Sequence, residues 1–343
     1  MSFRTVLSVI TLLAIIAILF FARQELVTAW NLLWNVDLWI LSLLIPVQFI
    51  SFFAVGAMIF EYLRKQDELK DTSKFQTARM ALELNFVNHA LPSGGVSGVS
   101  YMAWRLKHYG VKAGRATMAQ VVRFVVTFAA YLVLLLISII VITIDGSINR
   151  FSVLISSALA TAIILGTIFG IYIIRSQAQL HAFSRSLTRG INKLGRRFTK
   201  REQLVQEKTI EYFFTDLHQD YLILQRNKGL LKKPLIWAFV FNIAEISMFV
   251  IAYAALGVYV NPAIIIIAYG VATVAGIFSI TPGGAGAYEA IMISFLVGAG
   301  APYGATIAAI LLTRVILIVG TIISGYIFYQ HSLVKYGKQP AVR

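Results

Sequence analysis

The sequence predicts an all-α polytopic integral membrane protein. It has about six full transmembrane helices plus two helix-breaking re-entrant or short paired segments, arranged as an inverted repeat. Three observations predict this. Hydrophobic residues fill 58% of the 343 positions and charged residues only 13%, where a soluble domain carries about a quarter charged. Several apolar runs reach the roughly twenty residues that a helix needs to cross a bilayer. Two proline-glycine elements interrupt further apolar runs at matching places in the two halves.

In chain order, the first run is Val6 to Ala22. It follows Arg4 and reaches Arg23 without a small-residue cleavage site, so it reads as a retained signal anchor. The loop after it, with Arg23, Glu25 and Asp37, suits the outer side. Leu38 to Phe60 returns to a loop holding Arg64, Lys65, Lys70, Lys74 and Arg79. Basic loops stay in the cytoplasm because Lys and Arg resist translocation. Arg105, Lys107, Lys112 and Arg115 follow soon after, so both flanks of Leu82 to Trp104 lie inside. An apolar stretch that enters and leaves on one side is a re-entrant hairpin or a very short pair of spans. Its centre is Leu91-Pro92-Ser93-Gly94-Gly95-Val96-Ser97-Gly98. Broken backbone at membrane depth survives only where protein buries it or a wet cavity bathes it.

Ala116 to Ile144, Phe151 to Ile174 and Leu235 to Tyr259 are three more spans. Ala263 to Ala299 is then broken by Thr281-Pro282-Gly283-Gly284-Ala285-Gly286-Ala287-Tyr288-Glu289, and Tyr303 to Tyr329 is the last span. Arg123 follows Pro92 by 31 residues, and Arg314 follows Pro282 by 32. The parity of crossings gives the two halves opposite orientation, leaving only Arg23 and Arg150 of 30 basic residues outside. Interrupted segments at corresponding places of inverted halves mark a substrate path near the midplane. The division is one membrane domain: repeat one about 38–174, a cytosolic amphipathic basic linker 175–233, repeat two about 234–331, and a basic cytosolic tail 332–343. Both termini are expected in the cytoplasm of a multi-pass plasma-membrane protein.

Composition excludes several function classes. The chain has no cysteine and five scattered histidines, so no thiolate chemistry and no metal site is expected. No phosphate-binding Gly-x-x-x-x-Gly-Lys loop occurs, and no cofactor is expected. The net charge of +15 comes from residues flanking spans, which reads as topology and argues against nucleic acid.

Five charges fall within apolar segments: Glu83, Arg123, Glu245, Glu289 and Arg314. Each costs roughly 2.5–3.5 kcal/mol at the bilayer centre on insertion scales, so each is a functional candidate. Glu83 and Arg123 lie near span ends, where snorkelling would accommodate them; the other three lie deeper. A Glu289–Arg314 pair could close the second hairpin, with a purely structural role left open. On the functional reading, Glu245 and Glu289 hold a cationic headgroup moiety while Arg123 and Arg314 hold phosphate. Pro92, Gly94, Gly95, Pro282, Gly283, Gly284 and Gly286 shape the substrate path, presenting backbone N–H groups to anionic oxygen. Gly166 to Gly170 is a GxxxG element expected to pack helices, and Asn85, Asn88 and Asn242 could line the route but read first as interhelical hydrogen-bond partners.

With Asn88-His89-Ala90-Leu91-Pro92 and the Pro282 to Glu289 element in hand, the sequence resembles the membrane region of lysylphosphatidylglycerol synthases and their flippase-like stand-alone relatives. The resemblance covers most of the chain, and only Glu289 rests on a clear motif match. It implies transbilayer movement of an aminoacylated phospholipid or another polar-headgroup lipid. In that family a cytosolic domain makes the lipid. The longest polar stretch here, Arg175 to Lys233, is shorter than an ordinary domain, so no enzymatic activity is expected. That stretch carries apolar residues at helical spacing, Leu180 to Phe198 and Ile210 to Leu224, as amphipathic helices on the inner leaflet or as a solvated hairpin.

The partners expected are a membrane lipid with an anionic or zwitterionic headgroup, with a homodimer and a separately encoded lipid-modifying enzyme left open. A secondary transporter of a small polar solute, or a non-catalytic partner of a lipid-modifying or glycosyl-transferring enzyme, are the alternative readings. The cysteine-free background gives a direct check of orientation. Single cysteines placed at Ser97 and Ala285 should react with membrane-impermeant maleimide from opposite sides, and same-side labelling would rule out the inverted arrangement.

Overall fold

The computed structural model describes residues 23, 27, 30, 31, 34, 36–90, 96–144, 150–175, 207–278 and 285–337. The expected first span, Val6 to Ala22, and the first amphipathic segment of the linker lie outside these residues. Among the described residues every regular element is helical and no strand occurs. Five helices are long and apolar enough to cross a membrane: Leu38–Arg64, Ala113–Ile144, Leu154–Tyr172, Lys228–Ala255 and Tyr303–Tyr336. These coincide with five of the six expected spans.

From Leu38 a short helix α1 (Leu38–Ser42) runs almost directly into α2 (Leu44–Arg64). Asp37 starts it, its carboxylate accepting the N–H groups of Trp39 and Ile40 at 2.9 and 3.2 Å, as an N-cap should. The first interrupted segment is α3 (Lys74–Ala90) and α4 (Val96–Lys107). A reciprocal Ser73–Gln76 capping box opens α3, satisfying two otherwise orphan donors. After it come α5 (Ala113–Ile144) and α6 (Arg150–Arg175). The linker contributes α7 (Glu207–Arg226), and α8 (Lys232–Ala255) follows. The second interrupted segment is α9 (Pro262–Phe278) and α10 (Ala287–Gly298), and α11 (Tyr303–Tyr336) ends the bundle. Pro262 and Pro302 stand at helix starts, where the missing N–H costs nothing.

The two ends of the bundle differ chemically. At one end Lys65 donates to the Gly229 carbonyl, Lys233 pairs with Glu61, and Arg115 bridges Glu68 and Asp220. At the other end the Asp37 N–H reaches the Ala255 carbonyl at 2.9 Å, and Trp39, Tyr259 and Tyr303 are exposed, as aromatic residues are at a membrane interface. The linker helix α7 is docked rather than lying free. Its Leu217 is buried in the core and its Asp220 is buried against Arg115.

Both interrupted segments are hairpins of the same make. Each has a 17-residue helix followed by a 12-residue helix, about 25 and 18 Å long at 1.5 Å per residue, short of the roughly 30 Å hydrocarbon core. The first hairpin has its outer ends at the basic end, where Arg79 of α3 and Arg105 of α4 meet on one carboxylate. The second joins α8 and α11 at the opposite end. Packing repeats as well. Helix α2 packs on α3 and α5, and α8 packs on α9 and α11; α11 covers α3, and α5 covers α9. Helices α2 and α8, antiparallel, form the most extensive interface.

Among the described residues nothing takes up the packing role expected of Gly166 and Gly170. No atom lies within 4 Å of where their side chains would project, because α6 packs through Ser156, Leu159 and Ile163 instead. Gly325 is the opposite case, since a β-carbon there would run into Phe86 and the Leu82 carbonyl. Gly325→Leu should therefore part α11 from α3 and lower stability in detergent by about 1–3 kcal/mol. Gly166→Leu should leave the thermal midpoint of the same preparation unchanged.

Candidate functional site

The second hairpin carries a charge exactly where its backbone resumes a helix. Gly286 adopts φ +88° as the residue before α10, a conformation open to glycine and strained for other residues. Its N–H points at Glu289 Oε2, 2.6 Å away, so the carboxylate three residues on closes the helix start. The other oxygen of Glu289 accepts Arg314 Nε from α11, and the Arg314 guanidinium lies 4.7 Å from the Tyr288 ring. The expected Glu289–Arg314 pair is present, both side chains at most 15% exposed.

Glu245 of α8 lies beside this pair. It accepts a hydrogen bond from the Ser51 hydroxyl of α2, and no cation stands within ion-pair distance of it among the described residues. Arg314 acts electrostatically on both Glu245 and His89, which ends the first helix of the other hairpin. Five helices, α2, α3, α8, α10 and α11, thus bring Ser51, His89, Glu245, Glu289 and Arg314 to one region. Ser51 and His89 are additions that sequence reasoning missed. Neither has a spacing signal, and only the packing of α2 on α8 puts Ser51 opposite a carboxylate.

Glu83 has a different position from the one expected. It does not snorkel from a span end but is wholly buried, because α3 is enclosed by α2, α4 and α11. Four donors reach its carboxylate: Arg79 Nε and Arg105 Nε at 3.0 Å, the Tyr101 hydroxyl at 2.8 Å and the Ser332 hydroxyl at 2.6 Å. Arg105 also lies 4.2 Å from the Tyr336 ring. These contacts lock the first hairpin to α11 and leave Glu83 no capacity for substrate. Arg79 reaches Glu83 from one turn earlier on α3 and Arg105 reaches it from α4, whereas in the sequence both read only as topology charges.

Arg123 also departs from the snorkelling expectation, being 8% exposed. Its guanidinium stacks at 4.3 Å on Phe124 and lines a cavity of about 190 Å³ together with Thr127, Asn242 and Tyr269. Asn242 donates to the Thr127 carbonyl at 3.1 Å, and Asn85 to the Phe52 carbonyl at 3.2 Å, so both asparagines tie helices together. Pro92, Gly94, Gly95, Pro282, Gly283 and Gly284, expected along the substrate path, lie outside the described residues.

A family model described as the lysylphosphatidylglycerol synthase transmembrane region matches residues 5–325 of the 343. No curated protein sequence and no solved structure matches the chain.

The Glu83 network generates a specific expectation. Glu83→Gln leaves Arg105 buried without its counter-charge and should cost about 3–5 kcal/mol in detergent unfolding, whereas the double variant Glu83→Met with Arg105→Met should recover much of that loss. Equal stability of Glu83→Gln and the parent protein would remove the lock.

Proposed function

Because the chain belongs to the lysylphosphatidylglycerol synthase transmembrane-region family, we propose that it moves a polar-headgroup lipid between the leaflets. The headgroup passes along the polar seam between the two hairpins while the acyl chains stay in the bilayer. One observation carries this reading: the largely buried Glu289–Arg314 pair at the glycine-started helix of the second hairpin, with Glu245 beside it. Charges at membrane depth cost roughly 2.5–3.5 kcal/mol each and persist where they serve transport or are paired. Here Glu289 takes the Arg314 guanidinium and Glu245 is met by the Ser51 hydroxyl alone, so the cluster keeps capacity at Glu245 for the cationic part of a headgroup. Arg314, once released from Glu289, offers its forked donors to phosphate oxygens.

The equal lengths and reciprocal packing of the hairpins support the two halves as an inverted repeat, the arrangement in which one half rocks against the other around a fixed site. The end holding Lys65, Arg115 and Lys233 is the cytoplasmic one on the positive-inside rule, with the plasma membrane as the proposed location. No enzymatic step is proposed.

The test is lipid movement in proteoliposomes carrying a fluorescent or aminoacylated phospholipid. Glu289→Gln retains an oxygen for the Gly286 N–H and removes the charge, and Arg314→Ala removes its partner. Each should slow translocation at least about tenfold, the factor that 1.4 kcal/mol commands, with folding retained. Parental rates in both variants would remove these residues from the path. A parental protein that moves no lipid but takes up a polar solute would replace the lipid reading.

A further inference from the structure

The Arg123 cavity is not explained by the cluster around Arg314. A guanidinium that is 8% exposed is costly to keep charged unless something compensates it, and each other deeply buried arginine of the described residues has its carboxylate. Arg105 has Glu83 and Arg314 has Glu289. Arg123 has none: its Nε is fully buried with no acceptor, and no Asp or Glu lies within ion-pair distance among the described residues. Phe124 covers one face of the guanidinium at 4.3 Å. The group borders the cavity, whose remaining wall is mostly apolar and aromatic, with the polar side chains of Thr127, Asn242, Tyr269 and Thr273.

Those surroundings select a ligand. Every neighbouring polar group that is accounted for carries no charge, and the only full charge is positive, so the cavity favours an anion. At about 190 Å³ it is smaller than the roughly 300 Å³ and upward of sites for drug-sized molecules, which fits one compact group. A guanidinium matches tetrahedral phosphate oxygens with paired donors. Phe124, which lines the cavity and is 39% exposed, gives attached hydrocarbon an apolar surface beside the guanidinium.

We infer that Arg123 and the cavity it lines bind a phosphate group, of a lipid headgroup or free, at a site separate from the Glu245, Glu289 and Arg314 cluster. The inference rests on the lipid reading only for its expectation that the phosphate is a lipid's. Tyr269 joins the two places. It lines the cavity and lies within electrostatic reach of Glu245, so a headgroup held by its phosphate at Arg123 is beside the first carboxylate of the cluster.

The full chain, purified in a maltoside detergent without phosphate, is melted alone and with dioleoylphosphatidylglycerol, dioleoylglycerol or inorganic phosphate. The parental protein should gain at least about 2 °C with the phospholipid and less with dioleoylglycerol. Arg123→Met should lose that gain, melt no lower than the parent when no ligand is present, and Arg123→Lys should retain part of the gain. An Arg123-dependent gain with inorganic phosphate as large as that with the phospholipid assigns the site to free phosphate. Equal gains in parent and Arg123→Met, equal gains from phospholipid and dioleoylglycerol, or no gain in the parent would overturn the site. So would ligand-free melting lowered in both variants, which marks a structural arginine. The readout is binding, so its failure is distinct from a failure of the Glu289 and Arg314 translocation assay.

Discussion

Water is absent from the middle of a bilayer, and a helix interrupted there has peptide groups that lipid cannot satisfy. The architecture follows from that constraint. The 17- and 12-residue helices of each hairpin are shorter than the roughly 30 Å hydrocarbon core, and each pair is sheltered by long helices: α2 and α11 around α3, α5 and α8 around α9. The antiparallel contact of α2 with α8 holds the two sheltered hairpins together, and Ser51 of α2 meets Glu245 of α8 across it. Polar chemistry between the hairpins is therefore a consequence of how their helices are packed.

The buried charges divide into two kinds by how fully they are met. Glu83 receives four donors from α3, α4 and α11. A carboxylate so completely satisfied fixes a hairpin in place, since any movement exposes several unpaired groups together. Glu289 is held by one side-chain donor and one backbone N–H, Glu245 by a single hydroxyl, and Arg123 by an aromatic face. Electrostatic deficits of this kind cost stability and leave capacity for a ligand. The first hairpin is thus the anchored one, and the region between Arg123 and the second hairpin is the one with unfilled valence.

Much of this was legible from residue order. The proline-glycine breaks, the 31- and 32-residue spacings to Arg123 and Arg314 and the Glu289 pairing follow from local chemistry, because a broken helix followed by a buried acid demands a nearby cation. The snorkelling assigned to Glu83 and Arg123 did not hold. Distance from a span end measures depth along one helix, whereas burial depends on how many helices surround it. Gly166 and Gly170 mark a surface able to pack closely, yet partner choice is decided by the side chains of α5 and α9, which meet α6 at Leu159 and Ile163.

Sequence alone determined the solvent this protein lives in, the order of its apolar segments, and which charged residues fall within them, because those depend on composition and on spacing along one chain. Tertiary structure decided which charges are already answered. Arg105 and Ser332 reach Glu83 across 22 and 249 residues of chain, and among the described residues no carboxylate reaches Arg123. Electrostatic compensation at membrane depth depends on distance in space, and in a bundle of antiparallel helices that distance is set by which faces pack together.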